Sequence, residues 1–124
     1  MRYLSLIQLP AFSANWKRLK LSDDDLRTLE SAILADPEGP PVMKGTGGLR
    51  KIRFAPAASG AGKSGGARAC YAYFPEFGLI YLCAVFPKKD KANLTDAEAA
   101  AYKEILRRFA QYLRANFKQR GVTP

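Results

Sequence analysis

Three short runs, Leu49–Phe54 (LRKIRF), Ala69–Phe74 (ACYAYF) and Leu79–Phe86 (LIYLCAVF), constrain the fold most. Each is crowded with aromatic and aliphatic residues, and turn chemistry lies between them, so all three read as strands. The last two are separated only by PEFG, a hairpin-length turn. Strands that succeed one another through such connections build an antiparallel sheet with helices against it, an α+β fold. If Phe74 faces Leu79 across the turn, the register places Cys70 opposite Cys83.

Helical signals flank these runs. Tyr3–Leu9 is a first strand ended by Pro10, and Ser13 then caps a short helix with Phe12, Trp16 and Leu19 on one side. Ser22 followed by Asp23, Asp24 and Asp25 starts a second helix, because carboxylates near a helix N-terminus oppose its dipole. Leu26, Leu29 and Ile33 supply its apolar stripe, and DPEGPP stops it. Near the C-terminus, Thr95 and Glu98 have capping-box spacing. The helix they open carries Tyr102, Ile105, Leu106, Phe109, Leu113 and Phe117 at offsets of three and four. Its other face, with Lys103, Arg107, Arg108, Arg114, Lys118 and Arg120, reads as solvated charge. No repeat or linker divides the chain, so residues 1–124 are expected to form one domain: a small antiparallel sheet, N-terminal helices, and a long C-terminal helix packed against it.

Charge narrows the function. Residues 1–38 carry a net −1 and residues 39–124 a net +10, against +9 for the whole chain. From Gly39 to Pro75 there is no acid, but there are Lys44, Arg50, Lys51, Arg53, Lys63 and Arg68. A one-signed field of this kind attracts polyanions, nucleic acid foremost. No apolar run reaches the roughly 18 residues of a membrane span, and the N-terminus lacks a signal-peptide cleavage pattern. A cytoplasmic setting is expected, with both cysteines as free thiols and no membrane partner.

Ala57–Ser64, AASGAGKS, has nearly the spacing of a phosphate-binding P-loop. That loop functions by joining a strand to a helix whose N-terminal amides face the phosphates. Here Gly65 and Gly66 come next, and then a strand, so the context fails and nucleotide hydrolysis is not expected. The segment reads instead as a glycine-rich connection between strands that carries one cation, Lys63.

The chain has no histidine, which removes the usual acid–base catalyst and the commonest metal ligand. The carboxylates sit in helix caps and turns, and neither they nor the two cysteines have metal-ligand spacing. No metal or cofactor is expected. Lys, Arg and Tyr still suffice to cleave RNA, whose 2′-hydroxyl can attack its own phosphorus when held in line. Arginine's planar fork suits the charge that builds on the phosphate. A lysine crowded by cations can act as a base. As a strand, Leu49–Phe54 points Lys51 and Arg53 to one face and Ile52 and Phe54 to the other. Arg68 opens the next strand, and Lys88, Lys89 and Lys91 come directly after the last one. A charged edge strand that resists aggregation would account for Lys51 and Arg53 alone.

Several segments together resemble a known family: FSANWKRLKLSDDDLRTLE (12–30), DPEG (36–39), GTGGLRKIRF (45–54), GKSGGARACYAY (62–73) and FPKKDKANLT (86–95). The array is similar to the RelE/HigB-type toxins of bacterial toxin–antitoxin modules, particularly the HigB-like branch. The resemblance implies a microbial-RNase-like α+β fold and ribosome-dependent cleavage of messenger RNA, with inhibition by a cognate antitoxin of helix-turn-helix type. By motif it points to Lys51, Arg53, Arg68 and Lys89 as catalytic residues. Arg50, Lys63, Lys88 and Lys91 would bind RNA. Where some relatives place a tyrosine after the last basic cluster, this chain has Asn93, Leu94 and Thr95, and its next tyrosine is Tyr102. Two other readings keep the same basic surface: a non-catalytic RNA- or ribosome-binding module, and a related ParE-type toxin acting on gyrase.

Overall fold

The computed structural model describes residues 4–56, 66–90 and 93–119. In chain order these form β1 (Ser5–Gln8), α1 (Pro10–Arg18), α2 (Asp23–Ala35), β2 (Leu49–Phe54), β3 (Ala67–Phe74), β4 (Leu79–Pro87) and α3 (Asp96–Gln119). The strands make one sheet in the order β1-β4-β3-β2. The β2–β3 and β3–β4 pairs are antiparallel as expected, whereas β1 joins the edge parallel to β4, so the sheet is mixed. Its partner lies more than seventy residues further along the chain, beyond the reach of local turn chemistry.

The helix starts arise from their caps. Ser22 accepts from the Asp25 amide at 3.0 Å, and the Asp25 carboxylate accepts from the Ser22 amide at 3.1 Å, a closed capping box. At α1 the expected Ser13 cap gives way to Pro10, which occupies the first turn after Leu9. Proline has no amide to leave unpaired there. Ser13 sits inside the helix and donates to Gln8 Oε1 at 2.6 Å.

Alternation along the strands divides the core into two layers. Against α1 and α2 lie Ala69, Tyr71, Ile80, Leu82 and Val85, with Phe12, Trp16, Leu29 and Ile33 from the helices. Trp16 stacks between Phe12, at 5.5 Å, and Phe54, at 5.7 Å. The other face packs Leu49, Cys70, Ala72, Cys83 and Phe86 against Leu106 of α3. Phe109 meets Tyr81 at 4.7 Å, and Phe117 meets Phe77 at 4.8 Å. The apolar stripe read from the sequence is thus the face by which α3 docks.

The PEFG turn holds Phe74 opposite Leu79, and Gly78 supplies the left-handed φ of 65° that closes it. The register expected beyond the turn does not persist. It shifts between Cys70 and Tyr71, so that Tyr71 pairs with Leu82 but Cys70 pairs with Ala84. Cys83 is the extra residue of a β-bulge and has no directly opposed cysteine. Cys83 and Ala84 both belong to the α3 layer as a result. The bulge resets the phase of β4 and brings Phe86 onto that same face. Both cysteines are buried as thiols, and burial pushes Cys83 up to about 12.

Candidate nucleic-acid interface

β2 places its cations by the same alternation. Ile52 and Phe54 pack with the α1/α2 layer, while Leu49 belongs to the α3 layer, so Lys51 and Arg53 share the α3 side. Arg53 is the register partner of Arg68 in β3, and Arg68 is the partner of Phe86 in β4. Residues opposed in this way have Cβ atoms about 4.5–5.5 Å apart, and like charges placed so repel. The ion pairs between described residues join Asp24 to Arg27, and Glu104 to Arg107 and Arg108. Neither Arg53 nor Arg68 has a carboxylate partner among them.

Arg68 is the less usual of the two. Only 6% of it is exposed, and its guanidinium donates to the Ala67 carbonyl at 3.3 Å. A buried cation without a counter-ion is costly, and an anion entering the site would relieve that cost. Arg53, across from it, is exposed. A buried arginine and an exposed one are therefore cross-strand partners on the α3 side of the sheet.

Other contacts gather around this end of the sheet. The Lys88 amide donates to the Gly66 carbonyl at 3.0 Å, which ties the turn after β4 to the start of β3. Lys88 and Lys89 are both exposed on that turn. Lys51 Nζ donates to Asn93 Oδ1 at 2.5 Å, joining β2 to the segment that leads into α3. Nothing in the sequence marks this bond, because its partners are 42 residues apart. Arg50 lies elsewhere: it points to the opposite face and donates to the carbonyls of Glu38, at 3.0 Å, and Pro40, at 2.6 Å. There it fastens the loop after α2. Lys63 and Lys91 lie outside the described residues, as does most of the glycine-rich connection. That connection leads into β3 and not into a helix, so the P-loop context is absent.

Tyr102, the first tyrosine after the basic cluster, is half-buried and donates to the Cys83 carbonyl at 3.2 Å. Burial, reinforced by Cys83, Cys70 and Glu98, pushes its phenol up to about 12. It holds its proton and serves the core. Tyr71 does the same on the other face, donating to the Pro37 carbonyl at 2.8 Å, with burial again the main cause of a pKa raised to about 12. Among the described residues no group of three or more His, Cys, Asp or Glu side chains could hold a metal ion. No helix among them is long and apolar enough to cross a membrane.

Comparison with known proteins agrees with this architecture. A solved structure of E. coli toxin RelE, a double arginine-to-alanine variant in the free state, superposes with a TM-score of 0.51 at 20% identity. The match covers 74% of this chain and 90% of that one, and it supports the fold. The sequence profile described as the RelE toxin of the RelE/RelB toxin–antitoxin system matches residues 10–122. That family implies a cognate antitoxin as partner. With nearly the whole chain covered by the profile and the sheet and helices in place, the chain belongs to the RelE family of toxin–antitoxin toxins.

Proposed function

We propose that this toxin is a messenger-RNA endoribonuclease that cuts translated messages on the ribosome without a metal ion, in the manner of the HigB-like branch. The observation that carries the reading is the Arg53–Arg68 pair: two arginines directly opposed in register on adjacent strands, one of them buried, and neither matched by a carboxylate among the described residues. A phosphodiester supplies the missing negative charge.

In the proposed reaction the 2′-oxygen attacks the adjacent phosphorus and the bond from phosphorus to the 5′-oxygen breaks. A 2′,3′-cyclic phosphate and a 5′-hydroxyl result. Arg53 and Arg68 stabilise the charge that builds on the non-bridging oxygens. Lys51 and Lys89 carry the two proton transfers, one from the 2′-hydroxyl and one to the leaving oxygen. Lys88, with Lys63 and Lys91, holds the backbone of the message or ribosomal RNA. Arg50, engaged by two carbonyls on the far face, is left out of this assignment. A helix-turn-helix antitoxin carrying an acidic segment would neutralise the toxin by covering the cationic face.

Primer extension on translated messages tests the reading. The wild type should generate new 5′ ends within codons, and the Arg53→Ala/Arg68→Ala double variant should lose them by about a hundredfold or more. Cuts that persist in a folded double variant would contradict the site assignment. Binding without any new ends would make the protein a binder, not a nuclease.

A further inference from the structure

Next to Lys51 lies a hollow of about 230 Å³ that the cleavage chemistry does not use. Met43, Leu94 and Ala99 give it an apolar lining, and Lys44, Asn93 and Asp96 give it a polar one. It is smaller than the roughly 300–1,000 Å³ sites of drug-sized ligands and suits a single heterocycle.

The hollow is built by specific contacts. Thr46, fully buried, donates to the Met43 carbonyl at 2.7 Å and accepts from the Leu49 amide at 3.0 Å, which fixes the loop before β2. Gly47 seats that loop on α3: its φ is +74°, and an added Cβ would stand 3.2 Å from the Lys103 Cα. On the other wall the capping box of α3 is closed by Thr95 and Glu98, at 2.8 and 3.1 Å. Asp96 takes no part in that cap and lines the hollow instead. Asn93 gives its oxygen to Lys51, which leaves the nitrogen end of the amide for another acceptor.

We propose that this hollow is a nucleobase subsite selective for guanine, adjoining the cationic face; the inference rests on the reading of that face as RNA-binding. Unpaired bases are read through their Watson–Crick edges. On guanine that edge has two neighbouring donors, N1–H and N2–H, and one acceptor, O6. The Asp96 carboxylate accepts from both donors, and the Asn93 amide nitrogen donates to O6. Adenine and cytosine would instead turn an unprotonated ring nitrogen toward the carboxylate. Uracil has one N–H flanked by two oxygens. Met43 and Leu94 supply the apolar surface against which the ring lies.

The test is an NMR titration of the toxin with the 5′-monophosphates of guanosine, adenosine, cytidine and uridine, a readout independent of cleavage. The guanosine nucleotide should shift the amides of Met43, Thr46, Leu94 and Ala99, with an affinity about fivefold or more above the other three. Asp96→Asn should abolish that preference while the spectrum stays that of a folded protein. Asn93→Ala should weaken it. Equal affinities for all four nucleotides, or shifts confined to other parts of the molecule, would overturn the proposal. Failure of the nuclease reading appears separately, as an absence of new 5′ ends in primer extension.

Discussion

The two faces of the sheet use the same strands to different ends. Under α1 and α2, the apolar layer continues to the last residues of β2, where Phe54 completes the stack with Trp16 and Phe12. Even its fully buried tyrosine, Tyr71, has its hydroxyl tied to a loop carbonyl. Under α3, the apolar layer gives way toward the same end of the sheet. Beyond Leu49 the alternate positions of β2 are Lys51 and Arg53, and Arg68 holds the matching place in β3. One face is finished as a core, and the other places two arginines, Arg53 and Arg68, without a carboxylate partner among the described residues. A single alternation produces both, so a one-residue slip would bury the cations and expose the core.

This contrast can be broken first on the core side. Trp16→Ala removes a buried ring stacked on both sides and should cost about 3–5 kcal/mol of stability in urea denaturation. A loss under about 1 kcal/mol would show that the α1/α2 layer is not the stabilising one. Arg68→Met probes the other face. It exchanges a buried charge that has no carboxylate partner among the described residues for an apolar side chain, so stability should hold or rise by about 1 kcal/mol while RNA cleavage falls at least about a hundredfold. If stability and activity fall together, Arg68 is a structural residue.

A smaller effect belongs to the N-terminal layer. Ser22→Ala opens the capping box of α2 and should lower stability by about 1 kcal/mol, measured by thermal unfolding, with cleavage unchanged. The smallest concerns the outer surface of α3. Arg107 and Arg108 hold the Glu104 carboxylate at about 2, well below its usual range. A pKa lowered by folding gives a contribution that is present above the unfolded pKa and is lost as pH falls through the folded one. That window runs from the ordinary glutamate range down to about pH 2. Because the triad is solvent-exposed, carboxyl titration by NMR should show the low midpoint, and salt at about 1 M should raise it.

The parts of the structure governed by local chemistry were legible in the chain. The three strand runs, the PEFG turn, the caps at Ser22 and Thr95 and the stripe of α3 depend on neighbours within a few residues. So does the placement of Lys51 and Arg53 on one face. The features that were not legible depend on distant partners. The parallel docking of β1 on β4, the bulge that separates Cys83 from Cys70, and the Lys51–Asn93 bond join segments through the assembled sheet. Arg50 shows the limit within the site: as one more cation in a basic run it reads as RNA-binding, yet strand alternation turns it to the other face with Ile52. Pro10 illustrates a local competition, in which a proline at the first turn outweighs a serine three residues later.

Cleavage of the proposed kind requires the RNA to supply its own nucleophile while the cations hold the phosphate. A translated message with a single 2′-deoxynucleotide at a mapped cut site tests this directly. Cleavage should vanish at that position alone, and the unmodified message should yield 5′-hydroxyl and 2′,3′-cyclic phosphate ends. Continued cutting at the deoxy position, or ends bearing a 5′-phosphate, would contradict it.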